Sequence, residues 1–206
     1  MQRADFLECC RLGLPVIEED LSGMDLTGLA LSDCMVVKSN LSGVSLAGAH
    51  LRAMTFAMCG MDGIDLSAVT MTGSTLVECP LPNAAMTGAT LMEATIARCN
   101  MERADLARAA VSKSFFVECN LAAACLAETR MDTVGLIDCD LVGIDLGGAT
   151  ATSLFATRAD LRTATIDGLR LDTAMLVDAG LSGRELRPLR LARANPLEFN
   201  LPGADL

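Results

Sequence analysis

Two residue types recur at spacings that could organise chemistry. Cys59, Cys79, Cys99, Cys119 and Cys139 stand 20 residues apart. Such a column could be a redox or metal-binding stack, or a line of small buried groups, the commoner fate of free cysteine. Asp25, Asp65, Asp105 and Asp145 stand 40 apart. Evenly spaced carboxylates could imitate a phosphate backbone, or simply hold turns and keep the surface soluble. No other reaction centre is visible. His50 is the single histidine, with no nucleophile motif around it, and neither a GxGxxG nor a GxxxxGK[ST] loop occurs. Nine cysteines without a CxxC pair indicate neither a closed disulfide framework nor a zinc site. The chain therefore reads as no enzyme, with no catalytic residue, cofactor or metal.

The elements that position these residues must be built from an unusual composition. Of 206 residues 51% are hydrophobic, yet the only rings among the apolar residues are six Phe. A mean hydropathy of +0.41 with 20% charged residues excludes a disordered chain. Acidic residues interrupt the first 20 positions, so no signal peptide is expected, and no apolar run approaches the roughly 18 residues of a membrane span. A cytoplasmic protein with reduced thiols is expected, without membrane contact.

One frame runs through the whole chain. Of the 41 positions 6, 11, 16 and onward to 206, 37 hold Leu, Met, Ile, Val or Phe; Arg11, Ala151, Ala156 and Pro196 are the exceptions. A small residue stands two positions earlier in most segments, as at Ala104, Cys119 and Ala164. Neither helix nor strand produces period five. A large side chain every fifth residue is buried only if each segment is one side of a stacked coil.

The segments Ala104–Arg108 (ADLAR) and Ala159–Thr163 (ADLRT) show the pattern literally, and it resembles the A(D/N)Lxx motif of the pentapeptide-repeat family over about nine tenths of the chain. The resemblance implies an all-β fold, a right-handed quadrilateral parallel β-helix. It would have about 9–10 coils of 20 residues and, at about 4.8 Å per coil, a length of the order of 45–50 Å. Residues 1–20 would form a cap or irregular first coil and 21–206 the solenoid, irregular from about 184, where Arg184, Pro188, Leu189, Pro196 and Phe199 break the columns. Leu154 stands in a small slot beside Ala151 and Ala156, so large and small there have exchanged places. The cysteine column is expected to fill an inward slot.

A 20-residue coil assigns every residue to one of four faces. Two adjacent faces carry net charges of −4 and −5, against +2 and −2 on the others. The fourth face carries an outward apolar stripe, Val37, Val77, Val117, Ile137, Val177 and Leu197, which Phe115 and Phe155 extend. It reads either as a partner or homodimer surface or as β-branched residues stabilising a sheet. The expected function is thus a protein-interaction module. The alternative, implied by members of the family that act on DNA gyrase, is an acidic DNA mimic that binds gyrase or topoisomerase through the aspartate ladder. A second alternative is a repeat segment of a larger bacterial effector or secretion-associated protein. Direct nucleic-acid binding is disfavoured by the acidic field.

Overall fold

Every fifth residue turns a corner. In the computed structural model, which describes residues 1–178, 180 and 190–192, the backbone at Lys38, Glu78, Arg98 and Glu118 is left-handed, with φ from 49° to 53°. L-residues resist this conformation and glycine does not, which is why Gly23 and Gly28 take the same slot on other sides. Four corners return the chain over itself after 20 residues. The described residues make about eight such turns.

Parallel pairing in constant register locks each turn to the next. Met35 lies opposite Thr55, Val36 opposite Phe56 and Val37 opposite Ala57, and the same offset of 20 continues turn after turn. Two sides of the coil become strands. Among the described residues nine stack from Val16–Ile17 to Met175–Val177 as sheet I, and nine from Ala30–Ser32 to Arg190–Ala192 as sheet II. The other two sides are turns joined by single bridges such as Asn40↔Gly60 and Asp25↔Ser45. Composition agrees with the division: Thr is the commonest outward residue of the sheets, whereas Asp, Asn, Ser and Gly populate the turn sides.

Both sequence columns point inward. The large centres are closed off, as at Leu41, Leu81 and Leu121, and so are the small residues two places earlier, as at Ala49, Ala89 and Ala109. Ser39, Ser74, Ser114 and Thr129 are the buried polar side chains among the described residues, and all use that small slot. Each finds a backbone partner. Ser74 Oγ accepts the Met54 N–H and donates to the Leu51 carbonyl, both at 3.2 Å, so its burial leaves nothing unsatisfied.

Residues Arg3–Leu12 form an α-helix, α1, closed by left-handed Gly13. The five-residue frame passes through it only by coincidence: Phe6 and Cys10 face the core, while Arg11 pairs with Glu8 at 2.6 Å on the exposed side. Helix α1 packs on Ala30–Ser32 at the end of the stack. Pairing of the coils has already begun at Val16, which lies opposite Val36. The column-breaking Arg184, Pro188, Leu189, Pro196 and Phe199, and the stripe residue Leu197, lie outside the described residues.

The exchange of sizes at one turn is visible in the core. Ala151, Leu154 and Ala156 are all buried, so Leu154 takes up core space beside the two alanine centres. A void of about 20 Å³ remains, lined by Leu136, Leu146, Leu154, Leu161 and Leu171 among others. Leu154→Ala is therefore expected to cost about 3 kcal/mol in urea denaturation, as large-to-small core changes do. Adding Ala156→Leu on the same segment should recover part of that loss, and strict additivity of the two changes would refute the exchange.

Candidate functional site

The cysteine column is packed shut. Cys59, Cys79, Cys99, Cys119 and Cys139 are between 0 and 5% exposed. Each thiol donates to the carbonyl two residues back, as Cys59 to Ala57 and Cys119 to Val117, both at 3.4 Å. Ser39 opens the same column with equivalent bonds, donating to the Val37 carbonyl at 3.0 Å and accepting the Glu19 N–H at 3.1 Å. The slot thus accommodates a small side chain with one donor, although Ala159 fills it without one. Hydrogen bonding to Cys79, then burial, raises the pKa of Cys59; bonding to Cys119, then burial, raises that of Cys139. At Cys79 the bond from Cys59 favours the thiolate, but the bond to Cys99 and burial prevail and push it up to about 11. Cys99 and Cys119 are shifted down, first by the neighbouring thiols of Cys79 and Cys139. Among the described residues no group of three or more His, Cys, Asp or Glu is placed to hold a metal.

The aspartates do turn work. Oδ1 of Asp25 accepts the N–H of Thr27 at 3.0 Å, and Asp65, Asp105 and Asp145 each accept the N–H two residues on at 2.9 Å. On the neighbouring side Asn40, Asn100 and Asn120 make the same bond at 2.9–3.1 Å. The bond therefore needs a carbonyl-type oxygen rather than a charge, and Ala85 and Cys125 hold the same position without it. Thr87 also donates to Oδ2 of Asp105 at 2.6 Å. Asp25 has its pKa lowered, first by the Thr27 hydroxyl and then by the Thr27 backbone.

The outward surface of sheet I follows no such rule of the coil. Its two columns comprise residues 35, 55, 75 and on to 175, and residues 37, 57, 77 and on to 177; these sixteen positions hold no charged residue. The corresponding positions of sheet II include His50, Arg52, Arg130, Asp132, Arg170 and Asp172. Met35, Phe115, Phe155 and Met175 are 37–50% exposed, while Val37, Val77, Val117, Ile137 and Val177 are half-buried against their strand neighbours. Gly135, between the two phenylalanine strands, is buried although it points outward. A Cβ there would lie 2.5 Å from Cδ1 of Phe115, so the ring rests directly on the glycine.

Charges line the corner beside this face. Arg98 donates to Glu78 through Nε at 2.9 Å, and Arg158 to Asp138 through Nε at 2.7 Å. The Arg158 hydrogen bond, with its charge, holds the Asp138 carboxyl below the usual range. These exposed pairs were missed from the sequence, although residues 78, 98, 138 and 158 stand at the 20-residue period that could have revealed them. Two shallow grooves also occur. One of about 450 Å³ lies between α1 and Leu29–Ser32, and one of about 470 Å³ is lined by Arg108, Glu128, Arg130 and Thr150. His50 lines neither groove.

A parallel β-solenoid of 20-residue turns belongs to the repeat-rod class. The rod is that of the pentapeptide-repeat proteins, whose family model, described as pentapeptide repeats (8 copies), matches residues 99–134. HetL from the cyanobacterium Nostoc sp. strain PCC 7120, a pentapeptide repeat protein involved in heterocyst differentiation regulation, is 18% identical; the match covers 94% of this chain and 96% of that one, with a TM-score of 0.51. A trypsin-treated form of QnrB1, a plasmid-mediated fluoroquinolone resistance protein, is 16% identical over 93% of this chain and 90% of its own, with a TM-score of 0.51. Full-length QnrB1 is 15% identical over 88% and 92%, with a TM-score of 0.50. No curated protein shows significant sequence similarity to the chain.

The packing predicts thiol behaviour. Cys9 and Cys125 are half-exposed and the other seven cysteines are buried. A colorimetric thiol reagent should titrate these two quickly in the native protein and all nine in guanidinium. Rapid reaction of the column thiols without unfolding would contradict a sealed core.

Proposed function

We propose that the chain is a non-enzymatic, cytoplasmic rod that binds protein partners through the outward face of sheet I. The observation that carries this reading is the uncharged double column from Met35 to Val177. A long uncharged strip rich in Val, Met and Phe, with charges confined to its margins, is the kind of surface that commonly serves association. β-Branched stacking alone would account for Val77 and Val117. It does not account for Met35, Phe115, Phe155 and Met175, whose side chains stand out of the face. Val117→Glu and Ile137→Glu place a charge in the half-buried column without touching the core. Each is expected to keep the fold by circular dichroism while abolishing association. If oligomeric state and every captured partner were unchanged in both variants, the reading would fail.

The aspartate ladder and the fold shared with a fluoroquinolone resistance protein support a second reading, action on gyrase or topoisomerase as an acidic mimic. Its carboxylates recur every second turn, about 10 Å apart. Because asparagine serves the same turn, replacing Asp25, Asp65, Asp105 and Asp145 by Asn removes four charges and keeps the acceptor oxygens. Under this reading the native rod alters supercoiling by purified gyrase, with or without a quinolone, and the four-Asn rod does not. No effect of the native rod at any ratio would sink it.

A further inference from the structure

One pair of thiols joins the cap to the coil. Cys34 fills a small inward slot, and its Sγ donates to the Leu14 carbonyl at 3.4 Å. Leu14, one turn earlier in the same column, is 48% exposed and leaves that slot uncovered. Helix α1 covers it: Cys10 lies on the buried side of the helix, and the Cys10 and Cys34 thiols are hydrogen-bonded to each other. The Leu14 N–H, bonded to the Cys9 carbonyl at 2.9 Å, ties the end of the helix to the same place. We infer that Cys10 and Cys34 are a redox latch, closed to a disulfide by peroxide, that fastens the cap helix to the end of the rod.

Spacing and access set this pair apart from the column Cys59 to Cys139. The column thiols stack at the turn spacing of about 4.8 Å, wider than the roughly 3.8 Å between the Cβ atoms of a disulfide. Flanking amide bonds resist pinching two turns together, as where Glu78 N–H meets the Ala97 carbonyl at 3.0 Å and Arg98 N–H the Val117 carbonyl at 2.8 Å. Cys10 instead stands on a helix at the end of the stack, which shifts without breaking a turn-to-turn ladder. It also lines the groove of about 450 Å³ between α1 and Leu29–Ser32, so a molecule as small as hydrogen peroxide reaches the pair without unfolding.

One sulfur, as its thiolate, attacks a peroxide oxygen and becomes a sulfenic acid with release of one water. The other displaces that oxygen as a second water. Two thiols and one hydrogen peroxide thus give one disulfide and two waters, each sulfur losing one electron and the peroxide gaining two. The hydrogen bond within the pair favours the first step. It lowers the pKa of Cys34 and, ahead of burial, raises that of Cys10, so Cys34 carries the thiolate more readily.

The latch acts where the cap has least to hold it. The start of the chain is tied by the Met1 ammonium, which donates to the Asp20 carbonyl at 3.0 Å, and by Arg3 Nε, which donates to the Asp25 carbonyl at 2.8 Å. At the other end of α1, Arg11 pairs within the helix with Glu8, and the last turn rests on the burial of Cys10. A disulfide there fixes that turn and the width of the groove beside it. Oxidation therefore changes the cap and leaves the stacked turns as they are.

Trypsin makes the test direct, because it cuts after Arg3, Arg11 and Lys38: Ala4–Arg11 carries Cys9 and Cys10, and Leu12–Lys38 carries Cys34. The reduced full-length chain is treated with a small excess of hydrogen peroxide, alkylated, digested without reduction and analysed by mass spectrometry. The two fragments are expected joined, two hydrogens lighter than their sum, and parted by dithiothreitol. Cys9→Ser, a change at a half-exposed position, should keep the link, whereas Cys10→Ser and Cys34→Ser should each abolish it. Amide hydrogen exchange across Arg3–Leu12 should slow at least about tenfold on oxidation and recover on reduction. Loss of the link in Cys9→Ser, or its survival in Cys10→Ser, would assign the bond to Cys9 and overturn the proposal. Peroxide that yields sulfinic acid, or links between chains, with no Cys10–Cys34 bond also overturns it. So does a Cys10–Cys34 bond that leaves exchange in α1 unchanged, since the disulfide would then fasten nothing.

Discussion

The structure depends on one constraint: the backbone groups of each turn are satisfied by the turn stacked on it. Leu21 donates to the Asn40 carbonyl, Gly23 to Ser42, Leu26 to Ser45 and Gly28 to Ala47, and Asn40 donates back to Glu19, all at 2.8–2.9 Å. These bonds join residues about 20 apart. One inserted residue would move every later donor off its acceptor and rotate every later side chain to the wrong side of the coil. The uninterrupted frame of the sequence is the chemical trace of that requirement.

The same stacking supports backbone that would not stand alone. Among the described residues, twenty-two non-glycine residues have φ between 48° and 59°, a region L-residues enter at a cost. At Arg98 the compensation is visible: its N–H reaches the Val117 carbonyl at 2.8 Å and its side chain pairs with Glu78 on the turn before. The exposed pair contributes little by itself, of the order of 0–1 kcal/mol, so the ladder of amide bonds holds the corner. The cross-section also explains the scarcity of rings. Phe56 and Phe116 fit as centres, but each turn closes over four large side chains and four small ones, and wider rings would part the turns.

Much of this was legible because period five has no competing explanation. Leu41 and Ala49 announce their inward direction by position alone, and 20-residue spacing identifies the cysteines as one column. Other features were not legible. Whether a side becomes strand or turn is decided by outward residues, Thr75 and Val77 against Asn40 and Ser42, which the frame treats alike. Helix α1 was hidden because Phe6 falls in frame while serving a helical face. Gly135 shows nothing unusual until Phe115, one full turn away, is seen lying on it. The outward stripe was legible from the 20-residue period, as Val117 and Phe115 show, whereas which of its side chains stand out and which are half-buried appears only once the turns are stacked.

The coil also separates residues it dictates from residues it leaves free. A cysteine in the small slot or an aspartate before a centre has a complete structural explanation, since Ser39 and Asn40 do the same work without thiol or charge. Regular spacing at such positions therefore argues for geometry before chemistry. The outward positions of sheet I are under no comparable demand: pairing needs only their backbone, and sheet II accepts Arg, Asp and His in the equivalent places. Sixteen successive uncharged choices there are not required by the fold. In a repeat rod the informative residues are those the repeat does not explain, and on this rod they lie on one face.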